Sequence, residues 1–261
     1  MRKFPVLSFV VLAYLLTWWV YPLMRYTPLI GMLGLFGPAL AAIIVTALTG
    51  GRSGVHVLLR RTVHWRIPLP WYLVAIGLPA ALSLAAACSA VVLGPSALRV
   101  GTLSVFDLVL AVLVVGEELG WRGYALPKLL ERFSPVLASV ILGVIWGLWH
   151  LPTFFIPGAP QYGQPLIAFV ILTVSYSIML TWLFSHTAGS VLIATLCHGA
   201  INVSQGFFLA GIEPAARYWW LALVYSCAAL VIAVVLPSTR GHSPQAAERP
   251  PTFSTTRRSE R

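Results

Sequence analysis

Long apolar runs follow one another through most of this chain and constrain its fold more than any other feature. A helix needs roughly 20 apolar residues to cross a bilayer core of about 30 Å. The runs span about 4–24, 29–49, 69–94, 103–126, 136–156, 165–185, 190–211 and 217–236. Only 9% of residues are charged and the mean hydropathy is +0.87, which is too apolar for a soluble domain. The sequence predicts an all-α, polytopic membrane helix bundle with about eight transmembrane helices.

The basic residues indicate orientation rather than an anionic partner. The formal net charge is +10, but the Lys and Arg residues are spread over short loops and the tail, so we expect no nucleic-acid partner. If each of the eight runs crosses the membrane, successive loops lie on alternate sides. Thirteen Lys and Arg residues then lie on one side, and three lie on the other: Arg25, Arg99 and Arg217. The positive-inside rule then predicts both termini in the cytoplasm. We expect an integral protein of a bacterial-type cell membrane, surrounded by membrane lipids.

A change of composition at Pro237 divides the chain. Residues 1–236 hold all eight apolar runs, and no internal repeat or long hydrophilic stretch indicates a second domain. Residues 237–261 are rich in Pro, Ser, Thr and Arg, a composition that buries too little apolar surface to fold. We therefore expect one transmembrane domain followed by a disordered, basic cytoplasmic tail.

Two adjacent carboxylates interrupt the fourth run, in the stretch "VVGEELGWRGYALP". An ionisable group at membrane depth is costly and is a functional candidate by default. Glu118 and Arg122 are four residues apart, so we expect them to share a helix face and neutralise one another. Glu117 lies about 100° further round the helix, needs a different partner and is a candidate general base. Pro127 should end this helix near Leu126, because proline cannot donate the next helical hydrogen bond.

Three more polar residues lie in later runs: His150, His198 and Asn202. On straight helices, Glu117 lies about 14 Å, His150 about 22 Å and His198 about 13 Å from the cytoplasmic helix ends. All three therefore fall toward the middle of the membrane. His198 and Asn202 form an i, i+4 pair on one helix face. Each group alone is more readily explained as a structural polar residue, but the whole set at similar depth indicates a site.

Two pairs of glycines have the spacing of close helix contacts in membranes. Gly116 and Gly120 bracket the glutamates, and Gly143 and Gly147 precede His150. Such small residues let helix backbones approach. We expect them to bring the fourth and fifth helices together and so carry Glu117 toward His150.

At this point the residues resemble a known family of intramembrane proteases, the CAAX prenyl protease 2 and bacteriocin-processing family (CPBP, also called Abi). The resemblance covers about residues 103–205 and rests on three ordered motifs: Glu117-Glu118-x-x-x-Arg122, an aromatic-x-x-x-His ending at His150, and His198-x-x-x-Asn202. One departure is that Trp146 stands where the family usually has Phe.

The resemblance implies an endopeptidase related to the CAAX proteases. Glu117 would activate the attacking water with His150, and His198 and Asn202 would support the oxyanion of the transition state. Glu118 and Arg122 would hold the geometry of the site. The substrate would be a peptide or protein at the membrane, prenylated or otherwise membrane-associated.

The cofactor and the activity itself leave alternatives open. The family carries the metalloprotease name, and Glu117, His150 and His198 are candidate ligands for a zinc site of the His₂Glu type. We slightly favour a glutamate-activated water without metal. A noncatalytic immunity or scaffold protein could use the same buried residues structurally, and a transporter is a third reading. The chain shows no paired broken helices in corresponding halves, which counts against the transporter.

Overall fold

A computed structural model describes residues 4–236, so the predicted tail at 237–261 lies outside the described part of the chain. Within residues 4–236 the structure contains no strand. The α-helices of this part are α1 (Pro5–Trp18), α2 (Pro28–Gly34), α3 (Gly37–Arg60), α4 (Leu69–Leu93), α5 (Val105–Leu113), α6 (Val115–Glu118), α7 (Leu126–Leu130), α8 (Pro135–Trp149), α9 (Leu166–His186), α10 (Val191–Phe208) and α11 (Pro214–Val235). The predicted all-α membrane bundle is confirmed.

Six apolar helical segments of the described chain are long enough to cross a membrane. Their bounds are Pro5–Met24, Ile30–Val63, Leu69–Leu93, Leu166–His186, Val191–Phe208 and Pro214–Val235. The other two predicted crossings take different forms. Helix α8 is apolar but has only 15 residues, and the run predicted at 103–126 is assembled from shorter helical pieces.

Large apolar side chains face outward along the helices. On α1, Leu7, Val11 and Leu15 are 61%, 50% and 65% exposed and recur every four residues, while Phe9 and Ala13 on the opposite face are fully buried. Exposed apolar residues in a continuous stripe mark a surface that meets lipid or another protein. A bundle whose outer face is this apolar is an integral membrane protein.

The predicted second crossing, at 29–49, differs from the structure at both ends. It is divided between α2 and α3, and α3 continues to Arg60. The continuation is kinked at Gly51, whose φ of +64° lies in the left-handed region that favours glycine. The last turns of α3 therefore leave the direction of the first part of the helix.

The fourth run is a chain of four helical pieces rather than one α-helix. It begins at a capping box in which Ser104 and Asp107 bond each other's backbone N–H. Helices α5 and α6 follow, and residues Leu119–Ala125 then form a π-helix that leads into α7. The turns of a π-helix are wider than those of an α-helix, are rare and occur often at functional sites. Here the wide turn carries Arg122, directly after the two glutamates.

The expectation that Pro127 ends this helix is wrong, because α7 includes Pro127 and continues to Leu130. In an α-helix the N–H of residue 127 would bond the carbonyl of Gly123, which proline cannot do. The Arg61 side chain from the end of α3 replaces this donor, with Nη1 3.3 Å from the Gly123 carbonyl oxygen. The lost hydrogen bond is thus restored from another helix.

The glycine pairs pack closely, but against partners other than those predicted. A Cβ on Gly116 would come within 2.7 Å of the Leu35 carbonyl oxygen, and one on Gly120 within 2.6 Å of the Pro38 carbonyl oxygen. This pair therefore seats the glutamate-bearing turn on the start of α3. The predicted contact of this pair with the fifth helix is wrong.

The second pair, Gly143 and Gly147, faces α9 instead. A Cβ on Gly143 would lie 2.5 Å from the Cα of Val174, and one on Gly147 would lie 2.6 Å from the Thr173 hydroxyl oxygen. Small-residue spacing shows that a close helix contact exists, but many helices in a bundle can supply the partner. The glycines therefore fix α8 to α9.

Helix α1 holds the C-terminal end of α8. The last carbonyls of any helix lack intrahelical donors, and the indole N–H of Trp18 donates to the Trp149 carbonyl oxygen at 2.9 Å. One turn earlier, the Tyr14 hydroxyl donates to the Ile145 carbonyl oxygen at 2.6 Å. These bonds fix the turn of α8 that carries Trp146 and leads to His150.

We expect Arg61→Ala to lower the thermal stability of the purified protein, because it leaves the buried Gly123 carbonyl without its donor. The cost is about 1 kcal/mol of unfolding free energy. Arg60→Ala is the matched control, since Arg60 is exposed and adjacent. Thermal unfolding of both variants in one detergent measures the difference, and equal melting temperatures would contradict the role given to Arg61.

Candidate functional site

Glu118, Arg122 and His198 form a buried charged cluster. The Arg122 Nη1 donates to Glu118 Oε1 at 2.8 Å, and both side chains are fully buried. His198 Nδ1 lies 2.9 Å from the same oxygen. An ionised carboxylate only accepts hydrogen bonds, so His198 donates from Nδ1. The predicted Glu118–Arg122 pair is present, and His198 joins it as a third member.

Glu117 faces a different partner, as its position round the helix requires. Its Oε2 accepts a hydrogen bond from the indole N–H of Trp146 at 2.8 Å, and the residue is 3% exposed. Hydrogen bonds to a charged acceptor are stronger than neutral ones. A donor from α8 thus holds the glutamate on the α6 turn.

The ring of Trp146 lies at the centre of the site. The Arg122 guanidinium carbon is 4.4 Å from its ring centroid, within the range of a cation–π contact. The His198 ring centroid is 5.1 Å away and that of His150 is 6.2 Å away, both edge to face. One indole therefore contacts residues from all three motifs.

His150 caps the end of α8 and is half-buried. Its Nδ1 lies 3.0 Å from the Trp146 carbonyl oxygen, which can only accept, so Nδ1 carries the proton. In the neutral ring, Nε2 is then a hydrogen-bond acceptor. The ring is packed edge to face against Trp149 and Phe169, at centroid distances of 4.6 and 5.1 Å. Packing and hydrogen bonding both fix its orientation.

Helix α10 carries the last motif. It starts at Ser190, whose hydroxyl accepts from the Ile193 N–H. A Cβ on Gly199 would lie 2.6 Å from the Ala111 carbonyl oxygen, so this glycine lets α10 approach α5. That approach places His198 beside Glu118. Asn202 follows one turn later and is exposed, while His198 is 5% exposed.

The structure brings together Glu117, Glu118, Arg122, His150 and His198, and leaves Asn202 at the open edge of the same helix face. The sequence missed that Trp146 joins Glu117 to the histidines. Its place in the second motif was visible, since it lies four residues before His150. Its indole donor could have been recognised as a group that needs a buried acceptor.

The candidate metal ligands are not grouped. Between residues 4 and 236, no three His, Cys, Asp or Glu side chains come together as a set that could hold a metal ion. The Nδ1 atoms of both histidines are bonded to protein acceptors, which is also how second-shell groups orient zinc ligands. The chemistry of the donors thus suits a metal, whereas Glu117, His150 and His198, the candidate ligands named from the sequence, are not grouped around one point.

Fold and site together define a polytopic helical membrane protein with a buried cluster of carboxylates and histidines. Residues 99–204 match the model of the family described as type II CAAX prenyl endopeptidase Rce1-like. A CAAX prenyl protease 2 of Methanococcus maripaludis is 36% identical over 95 residues. The motif-bearing segment is therefore similar to this Rce1-like family, and the resemblance predicted from the three motifs is confirmed.

The match with the archaeal relative is confined to part of both proteins. It covers 34% of this chain and 35% of the relative. The matched family region contains the four pieces of the glutamate-bearing run, α8, α9 and most of α10. All six residues of the three motifs fall within it.

We expect Arg122→Ala to lower the yield of folded protein and its melting temperature. Removing one member of a buried ion pair costs about 3–5 kcal/mol, because the other charge stays buried. The double variant Glu118→Gln with Arg122→Met is the matched control, since it removes both charges and keeps an acceptor for His198. Size-exclusion profiles and thermal unfolding should show that the double variant is the more stable of the two. A single variant as stable as wild type would contradict a structural role for the pair.

Proposed function

We propose that this protein is an intramembrane endopeptidase that hydrolyses a peptide bond with a water activated by Glu117. The observation that carries the proposal is the gathering of Glu117, His150 and His198 around one indole inside an apolar bundle. A buried carboxylate whose indole donor packs against two imidazoles is suited to proton transfer. The Rce1-like match of the same residues supports peptide hydrolysis as the reaction.

Glu117 acts as the general base in this proposal. Because Oε2 accepts the Trp146 indole N–H, the proton of the water passes to Oε1. The oxygen of that water forms a bond to the carbonyl carbon of the scissile peptide. His150 orients the water, since its Nε2 can accept a hydrogen bond while Nδ1 is held by the helix. The proton held by Glu117 then moves to the leaving amine as the peptide bond breaks.

The oxyanion that develops on the peptide carbonyl needs hydrogen-bond donors. The Asn202 amide supplies two N–H groups at the exposed edge of α10, where a substrate can reach it. His198 donates from Nε2 only when its ring carries both protons, because Nδ1–H is already bonded to Glu118. Asn202 is therefore the donor in either protonation state of His198.

The substrate we propose is a membrane-associated peptide or protein. The archaeal relative carries the name CAAX prenyl protease 2, which makes a prenylated peptide the first candidate. The basic side of the bundle faces the cytoplasm, so both termini lie there and the site opens toward substrates from that side or from the lipid. The protein resides in a bacterial-type cell membrane.

Glu117→Gln should abolish cleavage, because an amide cannot take the proton of the water. The purified protein is reconstituted in liposomes and assayed by mass spectrometry against peptide libraries with and without a prenylated cysteine. Glu131→Gln is the matched control, since Glu131 is exposed on the connector after α7 and outside the site. Its activity should equal that of wild type.

The same assay distinguishes the competing functions. A wild type that cleaves neither library would favour the noncatalytic immunity or scaffold protein. Cleavage by Glu117→Gln at the wild-type rate would remove Glu117 from the reaction while leaving a protease. Preference between the two libraries reports whether the lipid is recognised.

We propose that the reaction needs no resident metal. The support is that Glu117, His150 and His198 are not grouped as metal ligands, while Glu117 can accept the proton of the water by itself. A sample stripped with a strong chelator and verified as metal-free by elemental analysis should retain full activity. Activity that disappears on stripping and returns with added zinc would overturn this part of the mechanism.

A further inference from the structure

The indole N–H of Trp146 is the donor that the structure gives to Glu117. We propose that Trp146 is a positioning residue, which fixes the Glu117 carboxylate so that one chosen oxygen takes the proton of the water. This inference rests on the proposed function, because it assigns how Glu117 is held for that reaction. It concerns a residue at which this chain departs from the aromatic expected of the motif.

The direction of the N–H is fixed by the contacts of the ring. Trp146 is 2% exposed. Arg122 lies 4.4 Å from its centroid, and the rings of His198 and Tyr176 lie 5.1 and 6.4 Å away. A ring packed on several sides cannot turn to another rotamer without displacing them. The donor is therefore preorganised, as groups that orient reacting side chains must be.

Indole chemistry makes the choice between the two carboxylate oxygens unambiguous. Nε1–H of tryptophan donates and never accepts. It stabilises negative charge on Oε2 and cannot itself remove the proton that Oε1 acquires. A carboxylate that is free to rotate would present either oxygen to the water. A smaller fraction of the molecules would then have the geometry that proton transfer needs.

A phenylalanine at this position would keep the aromatic contacts and lose the donor. Packing and positioning therefore make different predictions for the same substitution. If the ring only fills the core, Trp146→Phe acts through stability, like any large-to-small change. If its N–H positions Glu117, the turnover number falls even in protein that remains folded.

The chain supplies a matched control in Trp121. It is fully buried in the same core, in edge contact with Phe9 and Trp149. Its Nε1 has no hydrogen-bond partner among the described residues. Trp121→Phe therefore removes the same ring volume as Trp146→Phe without removing a bond to a glutamate.

The activity test compares Trp146→Phe, Trp121→Phe and a protein in which Trp146 alone is replaced by 3-benzothienylalanine, an isostere with sulfur in place of the indole N–H. Cleavage of the preferred library peptide is measured at several concentrations. We expect kcat to fall about ten- to a hundredfold in both position-146 proteins, as for a lost hydrogen bond to a charged group, with KM unchanged. Trp121→Phe should keep the wild-type kcat. An isostere with wild-type kcat would overturn the proposal.

A second measurement does not depend on activity. In protein labelled with indole-¹⁵N tryptophan, the Trp146 signal is assigned by its disappearance in Trp146→Phe. Its proton resonance should move upfield in Glu117→Ala, because the charged acceptor is gone, and should stay in place in Glu131→Gln. A resonance unmoved in Glu117→Ala would overturn the inferred bond.

The two measurements separate the two proposals. An upfield shift in a protein that cleaves nothing would support the bond and refute the protease. Cleavage that depends on Glu117 but not on the indole N–H would support the protease and refute the positioning role.

Discussion

The structure depends on the neutralisation of charge in a place without water. Glu118 and Arg122 are both fully buried and share a hydrogen bond of 2.8 Å, and an unpaired charge there would cost about 3–5 kcal/mol of unfolding free energy. The other contacts of the site rest on this pair. The Arg122 guanidinium packs on the face of the Trp146 ring. Glu118 accepts a hydrogen bond from His198, and the Trp146 indole donates one to Glu117.

The site is assembled from three helical regions that contribute different kinds of group. The turn around α6 supplies the carboxylates and the guanidinium, α8 supplies the Trp146 indole donor and ends at His150, and α10 supplies His198 and Asn202. No single region supplies all the groups of the site. A change in the packing of one helix therefore alters the orientation of groups on the other two, and the close glycine contacts limit such changes.

The sequence predicted well the relations that lie within one helix. The Glu118–Arg122 pair follows from an i, i+4 spacing, and the need of Glu117 for a separate partner follows from its angle to Glu118. Relations between helices were less accessible. Glycine spacing predicted close contacts but not the neighbours, which include Pro38 and Val174.

The partners found at Pro127 and Glu117 could not be predicted, for the same physical reason. Pro127 removes a helical donor, and the sequence cannot show that Arg61, far away along the chain, replaces it. Glu117 requires a donor, and Trp146 supplies it from a helix that follows later. In both cases a local rule was satisfied by a side chain from another helix. Which side chain arrives is decided by packing geometry, which one sequence does not contain.

The intrahelical pairing of Glu118 with Arg122 bears on how the chain enters the membrane during synthesis. A lone Asp, Lys or Arg at the centre of a membrane helix costs about 3 kcal/mol on insertion scales, and α8 and α10 are still unmade when this run emerges. Glu118 and Arg122 lie in the same run, so they can pair with each other before any later helix is present. Glu117 acquires its Trp146 donor only when α8 has been made, and Glu118 acquires His198 only when α10 has followed. The chain thus carries Glu118 and Arg122 into the membrane as a pair, and the contacts of this run with α8 and α10 follow.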